Sequence, residues 1–139
     1  QHCPYVTAII DKLVRDTNEL LDYGIHTIGI NSNDSISYPE DDFDHMVAFS
    51  KYKNFSFPYL WDEDQDVAKL YNAVCTPDFF GFNKNLELQY RGRLDQTKTT
   101  NVPDAERELF KAMIQISETK EGPRQQIASM GCSIKWKAG

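Results

Sequence analysis

Val6, Ile9, Ile10, Leu13, Val14, Leu20 and Leu21 recur at helical spacing after Pro4. This pattern predicts a helix from about Pro4 to Leu21 with one apolar stripe facing a core. Proline suits the first turn, where its missing N–H would have found no partner. Gly24 closes the element, and Ile25 to Ile30 then reads as a short buried strand. Asn31 to Glu40 is a polar, turn-rich loop. Glu40, Asp41, Asp42 and Asp44 open a second helix, whose positive end favours acidic side chains. Phe43, Met46 and Val47 form its predicted buried face.

Phe57 to Trp61 reads as the next strand, and Asp62-Glu63-Asp64-Gln65 has the spacing of a capping box. A short helix over 65–72 is expected to bury Val67, Leu70 and Tyr71. Asp78 to Phe82, the turn at Asn83-Lys84-Asn85, and Leu86 to Arg93 predict a β-hairpin. Its second strand alternates Leu86, Leu88 and Tyr90 with Glu87, Gln89 and Arg91, leaving one wet face. Asp104 caps a last long helix to about Thr119, with Leu109, Phe110, Met113 and Ile114 inward and Gly122-Pro123 at its end. The pattern divides the chain into a domain over 1–122 and a tail over 123–139, which should dock through Ile134 and Trp136. No internal repeat or low-complexity segment interrupts the order α-β-α-β-α-β-β-α.

A chain of 139 residues can bury one core. Its 40% apolar and 12% aromatic content excludes a disordered polymer. A net charge of -6 argues against a nucleic-acid surface. No apolar run approaches the roughly 18 residues of a membrane span. The chain shows neither a starting Met nor a signal-peptide pattern. Its start reads as cut, so the compartment, cytoplasmic or periplasmic, cannot be read from it.

The odd count of three cysteines, Cys3, Cys75 and Cys132, does not suit a disulfide-stapled scaffold. Cys3 stands at the start of the first helix, where the macrodipole favours thiolate. His2 places an imidazole beside it. Thr76-Pro77 precedes an apolar strand, where a cis-proline would turn the backbone tightly beside that thiol. Cys75, two residues before Pro77, reads either as an auxiliary redox thiol or as a small buried apolar residue. Cys132, between Gly131 and Ser133, reads either as a resolving or regulatory thiol or as part of a docked tail. Glu40 to Asp44 reads as a helix-start acidic patch rather than a metal site, and Arg91 and Arg93 as solvated strand residues. No metal or cofactor is expected.

Several stretches together resemble one family. They are Gln1-His2-Cys3-Pro4-Tyr5-Val6, Ile30-Asn31-Ser32-Asn33-Asp34, Tyr38-Pro39-Glu40-Asp41, Phe57-Pro58-Tyr59-Leu60, Val74-Cys75-Thr76-Pro77-Asp78-Phe79-Phe80, Tyr90-Arg91-Gly92-Arg93 and Gly131-Cys132-Ser133-Ile134-Lys135-Trp136-Lys137. They resemble the thioredoxin-like, peroxiredoxin-like proteins of the alkyl hydroperoxide reductase/thiol-specific antioxidant superfamily, in the branch with a Cys-x-His-Cys-Pro-Tyr-Val active site. The resemblance implies a three-layer α/β/α sandwich with a helix inserted between Asn31 and Phe57 and a first strand before Gln1. It implies thiol-disulfide exchange, with Cys3 as the second, resolving cysteine of a Cys-x-x-Cys pair whose first member stands immediately before Gln1. His2, Thr76 and Pro77 complete the implied catalytic set, Pro77 facing the pair and binding substrate backbone. The implied partners are a disulfide or peroxide substrate and a thiol reductant such as thioredoxin. Three other readings compete. A peroxidase of this family uses an Arg near the later strand, where this chain has Cys75-Thr76-Pro77. A copper-handling relative needs a late His, and none follows His45. A binding module would have lost the catalytic pair.

Overall fold

Apolar spacing builds the first helical segment, and one tight turn divides it. The computed structural model describes residues 1–138. A one-turn helix, α1 (Pro4–Thr7), is followed by α2 (Ile10–Leu21). The expected single helix breaks at Ala8 and Ile9. There the Ile9 N–H donates to the Val6 carbonyl three residues back (3.1 Å), and the Ile9 backbone opens to φ -113, ψ -7. The break turns both Ile9 and Ile10 into the interior, and Leu20 joins them, while Leu21 is exposed.

Strand β1 (Gly29–Asn31) runs parallel to β2 (Tyr59–Trp61), with Gly29 opposite Tyr59 and Asn31 opposite Trp61. Both are shorter than their apolar runs predict. Ile28, Ile30 and Leu60 are exposed, because this two-stranded ladder has a second face that nothing in the described chain covers. Between the two strands lie a 3-10 turn (Pro39–Asp41) and α3 (Phe43–Tyr52), the expected helical insertion. Asp42 is its cap, accepting from the His45 N–H (2.9 Å). Met46 faces inward, but Phe43 is exposed and leans on Trp61 at 6.1 Å.

The segment after β2 departs most from expectation. Helix α4 is only Asp66–Leu70, and it buries Ala68 instead of Val67, Leu70 and Tyr71. The box spacing does not operate. Asp62 alone caps the helix, accepting from the Val67 and Ala68 N–H groups (3.3 and 3.0 Å). Gln65, in a left-handed conformation at φ 64, sends its amide elsewhere.

Strand β3 (Cys75–Thr76) then precedes the hairpin of β4 (Phe79–Phe82) and β5 (Leu88–Gly92). These antiparallel strands carry an irregularity at Gly81/Phe82. The turn is longer than predicted. Leu86 adopts φ 62 and is exposed, as is Leu88, so Tyr90 alone of the alternating set is buried. Helix α5 (Glu108–Thr119) starts after Arg107 rather than at Asp104 and ends at Lys120 in a left-handed cap. Arg107 also ties α5 to α2 by donating to Asp16 (2.6 Å). No helix among the described residues is long and apolar enough to cross a membrane.

The core gathers Ile9, Tyr90, Leu94, Leu109, Ala112 and Ile116, with Leu13, Phe79 and Met113 packed against them. Of the inward residues expected on α5, Phe110 and Ile114 are only half-buried. Phe110 lies under the Arg107 guanidinium at 3.8 Å.

Residues after Arg124 run back across the domain. Strand β6 (Cys132–Ser133) pairs antiparallel with β3. The Arg93 N–H donates to the Ile127 carbonyl (3.1 Å), the Lys135 N–H to Asn33 Oδ1 (2.8 Å), and the Lys137 N–H to Gln65 Oε1 (2.9 Å). Ile134 is buried, and Trp136 remains 44% exposed beneath the Lys69 ammonium. Gly139, the last residue of the expected tail, lies outside the described residues.

Emptying the core should cost far more than trimming α4. Ile116→Ala is expected to lower unfolding free energy by about 2–5 kcal/mol. Leu70→Ala, at a side chain 78% exposed, should stay within about 0.5 kcal/mol. Urea unfolding followed by tryptophan fluorescence reads both.

Candidate active site

Cys3 is the N-terminal cap of α1. Its carbonyl accepts from the Val6 and Thr7 N–H groups (2.9 and 3.0 Å), and Pro4 occupies the first helical position. The side chain is 2% exposed. Its thiol donates to the Thr76 carbonyl (3.3 Å), and the Thr76–Pro77 bond is cis. The Thr76 hydroxyl, near the same sulfur, is buried without a hydrogen-bond partner.

The tail completes this environment. In the β3–β6 ladder Thr76 is the register partner of Cys132, and Cys75 that of Ser133. This pairing brings Cys132 beside the Cys3 sulfur. Burial pushes the Cys3 thiol pKa up, but the Cys132 and Thr76 side chains and the Cys132 and Tyr5 backbones outweigh it, so it ends below the ordinary value. The expectation of a long helix whose macrodipole stabilises the thiolate is corrected here. Helix α1 has four residues, and a single turn sums few peptide dipoles. Discrete polar neighbours take over that role. Cys132 shifts the other way, raised by burial and by the neighbouring Cys3.

Successive strand residues point to opposite faces, and Cys75 accordingly lies on the side of β3 away from Cys3. Its thiol donates to the Pro77 carbonyl (3.5 Å) and the Ser129 carbonyl (3.9 Å). Burial, then the Asp78 carboxylate, push it up to about 11, so it stays protonated at neutral pH. Arg91 donates to Asp78 and the Asn72 carbonyl, and Arg93 is bidentate on Glu108, both bonds at 2.9 Å. Pro77, Tyr5, Ile9, Phe79 and Arg93 border a cavity of about 90 Å3.

His2 turns away from the thiol. Its Nδ1 lies 2.5 Å from Asp41 Oδ2, and its ring stacks on Tyr38 at 6.1 Å. Asp41 is 0% exposed and is no part of a solvated acidic patch. It accepts from the Asn33 amide (2.9 Å) and the Gln1 backbone nitrogen (3.2 Å). Burial raises its pKa, but the close His2 imidazole and the bond from Asn33 overcome that and hold it below the usual carboxylate range. Asn33 passes the connection on, since its Oδ1 accepts from the Lys135 N–H (2.8 Å). Gln65 does the same from the residue before α4, donating to the Ser32 and Lys135 carbonyls (2.7 and 2.9 Å).

Three residues that the sequence reading did not assign to the site thus hold it: Asp41, Asn33 and Gln65. Their signal was weak, since each is polar and stands in a polar stretch. Gly131 is a fourth. A Cβ there would lie 2.0 Å from the Thr76 carbonyl oxygen, so only glycine lets β6 approach β3. The Gly-Cys dipeptide was a visible hint.

Comparison with known proteins identifies the family and the fold. Residues 1–91 match the family model described as AhpC/TSA family. The crystal structure of an uncharacterized conserved protein from Geobacillus kaustophilus superposes with TM-score 0.94 at 41% identity, covering 100% of this chain and 74% of that one. A hypothetical protein from Sinorhizobium meliloti 1021 superposes with TM-score 0.94 at 36% identity, covering 99% of this chain and 76% of that one. No curated protein gives a significant match. The fold is redoxin- or thioredoxin-like, an α/β sandwich.

Asp41 predicts a pH signature. The folded chain binds its proton more weakly than the unfolded chain. Its contribution is therefore present above the unfolded carboxylate value of about 3.9 and is lost as pH falls through the lower folded value. Asp41→Asn should cost about 3 kcal/mol at neutral pH, as expected for removing one member of a buried charged network. It should also flatten the loss of stability on acidification, read from urea midpoints across that range.

Proposed function

The chain belongs to the AhpC/TSA family, and on that premise we propose that it is a thiol-disulfide oxidoreductase with Cys3 as a redox thiol. Members of this family are typically thiol peroxidases or thiol-disulfide oxidoreductases. The observation that supports the proposal is the hydrogen-bonded Cys3 sulfur, buried beside the Thr76 carbonyl and shifted toward thiolate.

In this reading Cys3 is the resolving member of a Cys-x-x-Cys pair whose nucleophile would stand immediately before Gln1. A disulfide substrate is attacked by that nucleophile and forms a mixed disulfide with it. The Cys3 thiolate then attacks the nucleophile's sulfur, the substrate leaves as a thiol, and the pair is left oxidised for a dithiol reductant such as thioredoxin. Thr76 positions the Cys3 thiol through its carbonyl until the proton leaves. Pro77, at the rim of the neighbouring cavity, offers a surface along which a substrate backbone can lie. His2 acts through Asp41, which fixes its ring.

Exchange is favoured over peroxide reduction by the guanidinium groups. Arg91 and Arg93 are engaged with Asp78 and Glu108, and among the described residues no arginine hydrogen-bonds the Cys3 sulfur.

The natural full-length protein should accelerate the reduction of insulin disulfides by dithiothreitol. Cys3→Ser should slow turnover at least ~10-fold, a barrier increase of about 1.4 kcal/mol, and accumulate a mixed disulfide on the upstream cysteine. Unchanged turnover by Cys3→Ser would show that Cys3 resolves nothing.

A further inference from the structure

The contact between Cys3 and Cys132 joins the two ends of the described chain, and a Cys-x-x-Cys exchange makes no use of it. Two independent geometric facts bring these thiols together. Cys3 donates to the Thr76 carbonyl at 3.3 Å, and Cys132 is the register partner of that same Thr76. Antiparallel register partners hold their Cα atoms about 4.5–5.5 Å apart, so a group bonded to Thr76 meets a side chain carried by Cys132. Cys132 is among the neighbours that act on the Cys3 sulfur, and all three cysteines are free thiols. Cys75 is excluded from the contact, since its thiol is turned to the Pro77 and Ser129 carbonyls.

We propose that Cys132 is a redox partner of Cys3, and that the two close an intrachain disulfide by exchange with an external disulfide. The proposal rests on the reading of Cys3 as a redox thiol and extends it to a third cysteine.

Burial assigns the order of events. Cys3 is 2% exposed, whereas Cys132 is only half-buried. An external disulfide therefore meets Cys132 first. The Cys132 sulfur loses its proton to solvent and attacks one sulfur of the disulfide, and one thiolate leaves. The Cys3 thiolate then attacks the Cys132 sulfur, the second thiolate leaves, and the Cys3–Cys132 bond forms. Two protein thiols are oxidised, one external disulfide is reduced to two thiols, and two electrons pass outward. A dithiol reverses the sequence. The lowered Cys3 thiol suits the second attack, whereas the raised Cys132 thiol makes the first attack the slower of the two. The same sulfur contact would let Cys132 take over a bond formed between Cys3 and an upstream nucleophile, carrying oxidising equivalents to a more accessible sulfur.

The test uses the 139-residue chain, reduced and then exposed to oxidised glutathione. After acid quenching and alkylation, trypsin separates the cysteines onto Gln1–Lys12, Leu70–Lys84 and Gln125–Lys135. The expected product links the first peptide to the third, with Cys75 alkylated. Cys132→Ser should abolish the link. Cys3→Ser should leave glutathione on Cys132. Far-UV circular dichroism of each variant confirms folding, and the wild-type peptide map decides the matter even if a variant unfolds. Glutathione persisting on Cys132 with Cys3 free, or a link from Cys3 to Cys75, would overturn the pairing alone. Insulin turnover by the natural protein would then still stand. Three cysteines inert to the reagent would overturn the pairing, and loss of turnover as well would remove the exchange reading.

Discussion

The two-residue ladder between β3 and β6 sets the position of everything around Cys3. Thr76 presents its carbonyl to the Cys3 sulfur and takes Cys132 as its register partner, so one residue aligns both thiols. The approach is close enough that Gly131 has no room for a Cβ. A ladder this short contributes little by itself, at about 1 kcal/mol for each hydrogen bond. Its hold comes from the bonds on either side, at Ile127, Lys135 and Lys137, and from burial of Ile134. The integrity of the site is therefore inseparable from docking of the C-terminal segment.

A second network runs from the other flank of Cys3. Asp41 collects His2 and Asn33, and Asn33 accepts from the same Lys135 that Gln65 contacts. Residues next to the thiol and residues of the tail thus share buried polar partners. Charged groups without such partners would be costly in a site this enclosed. With them, the His2 ring lies parallel to Tyr38. The helix that carries Cys3 is one turn long, so the tuning of its thiol falls on named side chains and carbonyls. That makes it sensitive to single substitutions.

What could be read from the sequence was whatever local spacing controls. The stripe of Ile9, Ile10 and Leu20, the inserted helix with its acidic start, and the hairpin all follow from short-range pattern. Long-range partners broke the remaining expectations. Gln65 looked like the last member of a capping box, yet its amide bonds a carbonyl of Lys135, 70 residues away. Asp41 looked like one acid among four, but the fold buries it completely. Leu70 and Leu86 fit apolar patterns and face solvent, because Ala68 occupies the inward face of α4 and because Leu86 sits in a turn at φ 62. At the site itself, the residue types around the Cys-Pro and Thr-Pro pairs were visible. The nearness of Cys132 to Cys3, 129 positions apart in number, depends on a strand pairing that no local pattern encodes.

The most direct test of this account is the pH titration of the Cys3 Cβ resonance in the reduced protein, compared with Cys132→Ala. If the tail strand supplies a hydrogen bond to the Cys3 sulfur, the midpoint lies below that of a free cysteine and moves upward when the Cys132 thiol is removed. A midpoint that is the same in both proteins would contradict it, since Cys132 would then contribute nothing to the environment of Cys3.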